Sequence, residues 1–212
     1  DEGGREQSHD NGAKQDGHRH EDPARGELCR QADFEHACNV FELGCGTGSF
    51  ALSLFEELFP TTTRYVGVDL STTMVEIARG KLDQLSPRAR IIQTNGELRF
   101  KEPDGFYDRF VGNYVFDLLP TEEIRKGVAE AHRLLADGGK LCVVTLTEGQ
   151  STVSRVISGF WSRLQRLSPV TVGGCRPIDI TEYLPDPFWE LQYNEIVTAF
   201  GVPSRVTVAI AR

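Results

Sequence analysis

Val40-Phe41-Glu42-Leu43 runs into Gly44-Cys45-Gly46-Thr47-Gly48, and Ser49 opens an amphipathic segment. This is the pattern of a strand, a glycine loop and a helix. Three alternating glycines allow positive φ and let a ligand lie against bare main chain, where a Cβ would stand in the way. Such loops sit at the carboxyl ends of strands in open α/β sheets, where nucleotide-like ligands bind. The loop is not a Walker loop, because Gly48-Ser49-Phe50 lacks the required Gly-Lys-Ser/Thr ending. Nor is it a dinucleotide fingerprint, since the third glycine is misplaced. A glycine turn with no ligand is the alternative, and the rest of the chain has to decide.

The 212 residues are 39% hydrophobic and 25% charged, enough for one domain with a sizeable core. A net charge of −8 disfavours a nucleic-acid partner. No apolar run approaches the length of a membrane span. The five cysteines are scattered without a Cys-x-x-Cys, which predicts reduced thiols and a cytoplasmic setting. Residues 1–26 are polar, acidic and His-rich, and are expected to be a disordered tail. Residues 27–212 are expected to form the single domain, and no histidine-cysteine cluster has zinc spacing.

Periodicity predicts a short helix within 27–38, then helices at 49–59, 71–82 and 121–135. Strands are predicted at 65–69, 90–94, 106–115 and 141–146, after a turn at 137–140. Strands alternating with helices argue a parallel, doubly wound sheet. Two alternating segments, 193–200 and 205–211, close the chain as a hairpin.

Glu42-x-Gly44-x-Gly46-x-Gly48 resembles motif I of the class I S-adenosylmethionine (SAM)-dependent methyltransferases. Asp69-Leu70-Ser71-Thr72-Thr73-Met74, the Phe-Asp-x-Val-like strand 106–115 and the Gly-Gly turn before strand five resemble the same family, and the segment at 149–190 is similar to those of its UbiE-type members. The resemblance implies a Rossmann-like sheet in the order 3-2-1-4-5-7-6, its last strand antiparallel and helices on both faces. It implies SAM as cofactor, left as S-adenosylhomocysteine. Gly44, Cys45, Gly46 and Gly48 would approach its methionine end, with Glu42 near the amino group. Asp69 would hold the ribose, and Leu70 and Met74 would flank the adenine. Asn95-Gly96 would meet the adenine edge, although Asn-Gly is equally a turn signal. Asn113, Tyr114 and Asp117 would border the reacting centre, Tyr114 and Asp117 being the base candidates.

The insert at 149–190 should choose the substrate. Residues 153–167 have helical spacing with arginines on the polar positions, consistent with a lid, a peripheral lipid contact or an ordinary packed helix. Phe160, Trp161 and Arg176 are its substrate-side candidates. The expected activity is methyl transfer to a small-molecule or lipid acceptor. A catalytically silent SAM-binding subunit and a nicotinamide-dependent oxidoreductase are the competing readings.

Overall fold

The computed structural model describes residues 22–147, 176–199 and 202–212. Phe160 and Trp161 lie outside the described residues, as do the expected helix at 153–167 and residues 1–21 of the expected tail.

The chain opens with α1 (Pro23–Ala32). The carboxylate of Asp22 caps it by accepting from the Ala24 N–H, and Pro23 occupies the first turn, where its missing N–H costs nothing. The helix therefore begins before residue 27, inside the stretch expected to be a loose tail. Ala24, Leu28 and Ala32 are its buried stripe. β1 (Asn39–Leu43) leads through the glycine loop into α2 (Ser49–Glu57), β2 (Arg64–Asp69), α3 (Thr72–Leu82) and β3 (Ala89–Gln93). β4 (Tyr107–Asn113), α4 (Thr121–Leu134) and β5 (Leu135–Leu146) follow. β6 (Trp189–Ala199) and β7 (Val202–Ala211) form the closing hairpin.

The seven strands lie in the order β3-β2-β1-β4-β5-β7-β6. β7 runs antiparallel to both its neighbours and the remaining pairs are parallel, as the resemblance implied. Alternation along each strand divides the core into two. Val40, Tyr65, Val111, Val144 and Val206 face α1, α2 and α3, whereas Phe41, Val66, Phe110, Val143 and Ala209 face α4. Each such large side chain contributes about 1.5–3 kcal/mol by leaving water.

Two boundaries differ from the pattern reading. β5 starts at Leu135, opposite Tyr107, while Lys140 lies opposite Arg109, so residues 136–139 bulge out of an established strand. Gly138 at φ 80° permits that bulge. β6 starts at Trp189, and a register shift between Leu191 and Tyr193 hides its early alternation.

Buried Arg109 fixes α1 onto the sheet. Its Nε donates to Ala32 O at 2.6 Å and its Nη2 to Asp33 O at 2.7 Å, satisfying carbonyls at the helix end. Replacing Arg109 with Met should cost about 2–3 kcal/mol by orphaning these carbonyls. Urea unfolding would measure that loss, and hydrogen exchange should show the α1 amides opening earliest.

Candidate functional site

The glycine loop is held mainly by its backbone N–H groups, most of them bonded to β2. The N–H groups of Gly44 and Cys45 both donate to Val68 O, at 2.9 and 3.0 Å, and Gly48 N–H donates to Cys45 O. Gly46 N–H donates to Asp69 Oδ2 at 2.8 Å, while Asp69 Oδ1 accepts from Ser71 N–H at 2.9 Å. Ser71 in turn caps α3, accepting from Met74 N–H. Asp69 therefore joins the loop to the start of α3, and a two-oxygen carboxylate keeps further lone pairs for hydroxyl donors.

The three glycines have different reasons to be glycine. All have positive φ, at 71°, 54° and 71°. A Cβ on Gly44 would lie 2.7 Å from Val115 Cγ2, and one on Gly48 would lie 3.2 Å from Ala78 Cβ. A Cβ on Gly46 would meet nothing within 4 Å. Gly44 and Gly48 thus serve packing, while Gly46 presents bare backbone to open space. Beyond Asp69, Leu70 is 55% exposed, and its Cδ1 lies 3.8 Å from the position a Cβ on Gly96 would take. An exposed leucine beside a glycine leaves an apolar ledge at this end of the sheet. Asn95 Oδ1 accepts from Glu97 N–H, so the turn reading holds for that oxygen. Met74 is buried, as is Cys45, whose thiol is pushed up by burial and whose N–H is already engaged. The Cys45 side chain packs against Gly67 rather than facing the open side of the loop.

Beneath the loop lies a buried polar cluster. Tyr65 donates its hydroxyl to Glu42 Oε2 at 2.5 Å, and Asn113 Nδ2 approaches Glu42 Oε1 at 3.5 Å. Asn113 Oδ1 is buried without a partner. Burial pushes the Glu42 carboxyl up to about 7, while the Tyr65 hydroxyl and the charge of Arg25 pull the other way. Tyr65 escaped the sequence reading because a tyrosine in a strand reads as core. The available signal was Gly67, where a Cβ would lie 2.6 Å from the Tyr65 hydroxyl. Arg25 of α1 also escaped it. Its guanidinium lies 5.7 Å from the centre of the Phe50 ring and 5.9 Å from that of Tyr114.

The base candidates take other roles. Tyr114, at φ 55°, sends its hydroxyl to Asp22 Oδ2 at 2.9 Å and to Ser204 Oγ at 3.1 Å. Burial and the Asp22 charge raise its pKa, and its hydroxyl tethers α1 to β7. Asp117 lies in a 3-10 turn (Phe116–Leu118) and is 1% exposed. Its Oδ1 accepts from Leu146 N–H at 3.0 Å, and its Oδ2 is buried without a partner. Burial pushes this carboxyl up to about 8, against the pull of the Leu146 N–H. Arg176 N–H donates to Asp117 O, and Arg176 Nη2 donates to Thr121 Oγ1. Arg176 also lines a cleft of about 420 Å³ with Thr147, Ile178, Asp179 and Tyr183, beside the end of β5.

Residues 40–139 match the family described as "Methyltransferase domain". The carboxy-S-adenosyl-L-methionine synthase of Chromohalobacter salexigens is 33% identical over 54% of this chain and 42% of its own length. The ubiquinone/menaquinone biosynthesis C-methyltransferase UbiE of Geobacter sp. is 25% identical over 76% of this chain and 66% of its own length. The chain thus spans less than two thirds of either relative. Among solved structures, the [4+2]-cyclase SpnF superposes with a TM-score of 0.65 at 17% identity, over 89% of this chain and 80% of that one. A geranyl diphosphate methyltransferase in complex with SAM gives 0.64 at 15% identity, over 89% and 85%. Sheet order, glycine loop and relatives together support a class I SAM-dependent methyltransferase.

Two outcomes follow from the site's geometry. Gly44→Ala should cost about 2–4 kcal/mol through its clash with Val115, whereas Gly46→Ala should cost only about 1–2 kcal/mol of left-handed strain; thermal melts of both variants would check the difference. The second concerns pH. A folded pKa raised from 3.8 to about 8 means that the stability contribution of Asp117 is full below about pH 4 and lost as pH rises to 8. Asp117→Asn should therefore match wild type near pH 4.5 and exceed it by about 2–5 kcal/mol near pH 8.5, as read by urea unfolding at the two pH values.

Proposed function

We propose that this chain binds SAM along the glycine loop and catalyses in-line transfer of its methyl group to a small-molecule or lipid acceptor. The observation that carries this reading is the pairing of Gly46, whose open side admits a ligand against backbone, with Asp69 at the end of β2. The orphaned Asn113 Oδ1 and the exposed Leu70 opposite Gly96 also fit that ligand, one as an acceptor for an ammonium and the other as a wall for an adenine.

When bound, SAM supplies a methyl group already activated by its sulfonium. The protein's task is then alignment and exclusion of water rather than attack by a side chain. Asp69 would accept from the ribose hydroxyls, and Leu70 with Gly96 would form one wall beside the adenine. Gly46 lets the amino-acid tail descend towards Glu42 and Asn113. The acceptor enters from the side of Asp117, Arg176 and the segment after β5, with Asp117 holding the end of β5 rather than taking a proton. The quinone-pathway names of the UbiE relatives support an aromatic, lipid-like acceptor.

Calorimetric titration with SAM, S-adenosylhomocysteine and NAD tests the cofactor reading. Both adenosyl ligands should bind and NAD should not. Asp69→Ala should weaken SAM binding tenfold or more, since two hydroxyl contacts to a charged acceptor are worth about 1.5–3 kcal/mol each. Unchanged SAM affinity in that variant would refute the site. Labelled methyl transfer from SAM into lipid and polar extracts then identifies the acceptor class.

A further inference from the structure

Of the buried side-chain polar atoms without a partner among the described residues, Asn113 Oδ1 is an acceptor beside Glu42, and Arg25 Nε is a donor on the helix above it. Arg25 lies against Phe50 and Tyr114, which follow the glycine loop and Asn113 in the chain, and its charge favours the ionised Glu42 carboxyl. The guanidinium is held by two aromatic rings. Phe50 stands in the first turn of α2, just past the glycine loop, and Tyr114 directly follows β4. The nearest acid, Asp22, approaches Arg25 Nε only to 3.6 Å, and its oxygens already accept from Ala24 N–H and the Tyr114 hydroxyl. Arg25 thus stands at the loop's mouth, 35% exposed in its side chain, placed by stacking rather than by a close hydrogen bond.

These groups have opposite characters: an acceptor set of Glu42 and Asn113 Oδ1, and a cation with an unsatisfied donor. An α-amino acid carries the complementary pair, an ammonium and a carboxylate on one carbon. We infer that Arg25 receives the α-carboxylate of the cofactor's methionine tail, while Asn113 Oδ1 and Glu42 receive its ammonium. This rests on the SAM reading above and extends it to α1, an element outside the segment matched to the methyltransferase domain. A planar guanidinium offers a fork matched to a carboxylate, and stacking on Phe50 and Tyr114 fixes the plane of that fork before the ligand arrives. Discrimination then has a chemical form. The site should favour adenosyl ligands that keep the carboxylate over those that have lost it.

The test is calorimetric titration of the full chain with SAM and with decarboxylated SAM, which keeps the ammonium and lacks only the carboxylate. Wild type should bind decarboxylated SAM about 10- to 100-fold more weakly, the weight of a charge-assisted fork. Arg25→Gln should bring SAM down to that level and leave decarboxylated SAM unchanged. Equal affinities in wild type would overturn the inference. So would an Arg25→Gln variant that binds SAM as wild type does, or one that loses both ligands in equal measure. Should Arg25→Gln fail to fold by circular dichroism, Arg25→Lys replaces it: its preference for SAM should fall below that of wild type, and an unchanged preference refutes the assignment. A wild type that binds neither adenosyl ligand refutes the SAM reading itself, which is distinct from binding both without preference.

Discussion

The two oxygens of Asp69 hold the mouth of this fold together. One takes the Gly46 N–H and the other the Ser71 N–H, so the turn after β1 and the start of α3 are referred to the same carboxylate at the tip of β2. The loop has no side-chain cap at Gly48, and its Gly44 and Cys45 amides are spent on Val68 O of β2. Without Asp69, Gly46 would present an unsatisfied N–H and the path of the loop would depend on weaker packing. With it, the open face of Gly46 is presented in one conformation. A site that works by alignment needs that rigidity more than it needs reactive groups.

A second constraint lies beneath the first. Glu42 is 2% exposed on the sheet face that carries α1, α2 and α3, and burial there lifts its pKa to about 7. Tyr65 reaches it through space left open by Gly67, so one glycine in β2 makes room for the hydroxyl that steadies a residue of β1. The arrangement is costly, since a buried carboxylate and an orphaned Asn113 Oδ1 both oppose folding. Such groups persist most readily where a ligand can satisfy them, and both lie below the glycine loop.

Much of this architecture was legible in the sequence. The glycine loop and the place of Asp69 at a strand end follow from periodicity and backbone chemistry, which are local and survive in any tertiary setting, whereas the strand order was implied by the family resemblance. What escaped was directional. Gly44, Gly46 and Gly48 look alike in the chain, yet only packing against Val115 and Ala78 reveals that Gly46 alone faces open space. Tyr114 is well placed for a base, but its positive φ turns the ring towards Asp22 and Ser204. The start of α1 was missed because Asp22-Pro23, a good cap and first turn, sits at the end of a polar stretch. The start of β5 was missed because Gly138 and Gly139 signal a turn, whereas the fold uses them for a bulge within a continuing strand.

The same sheet is shared with a protein named as a [4+2]-cyclase, so the architecture alone does not dictate a reaction. The way the two sides of this site are built explains how that freedom arises. The proposed cofactor side is made of the ends of β1 and β2, fastened by Asp69 and Glu42 to backbone and core. The proposed acceptor side is made of the turn after β4, the end of β5 and the chain from Arg176 onward, fastened by Asp117 through its side chain to Leu146 and through its carbonyl to Arg176. Its clamp is a single buried carboxylate with one oxygen still unsatisfied, and its outer wall is polar and exposed. Substitutions at Arg176, Asp179 or Tyr183 can therefore reshape the acceptor cleft without disturbing the hydrogen bonds that hold the glycine loop. Among the described residues no hydrogen bond joins the Asp69 clamp to the Asp117 clamp, and the two meet through packing of Val115 against Gly44.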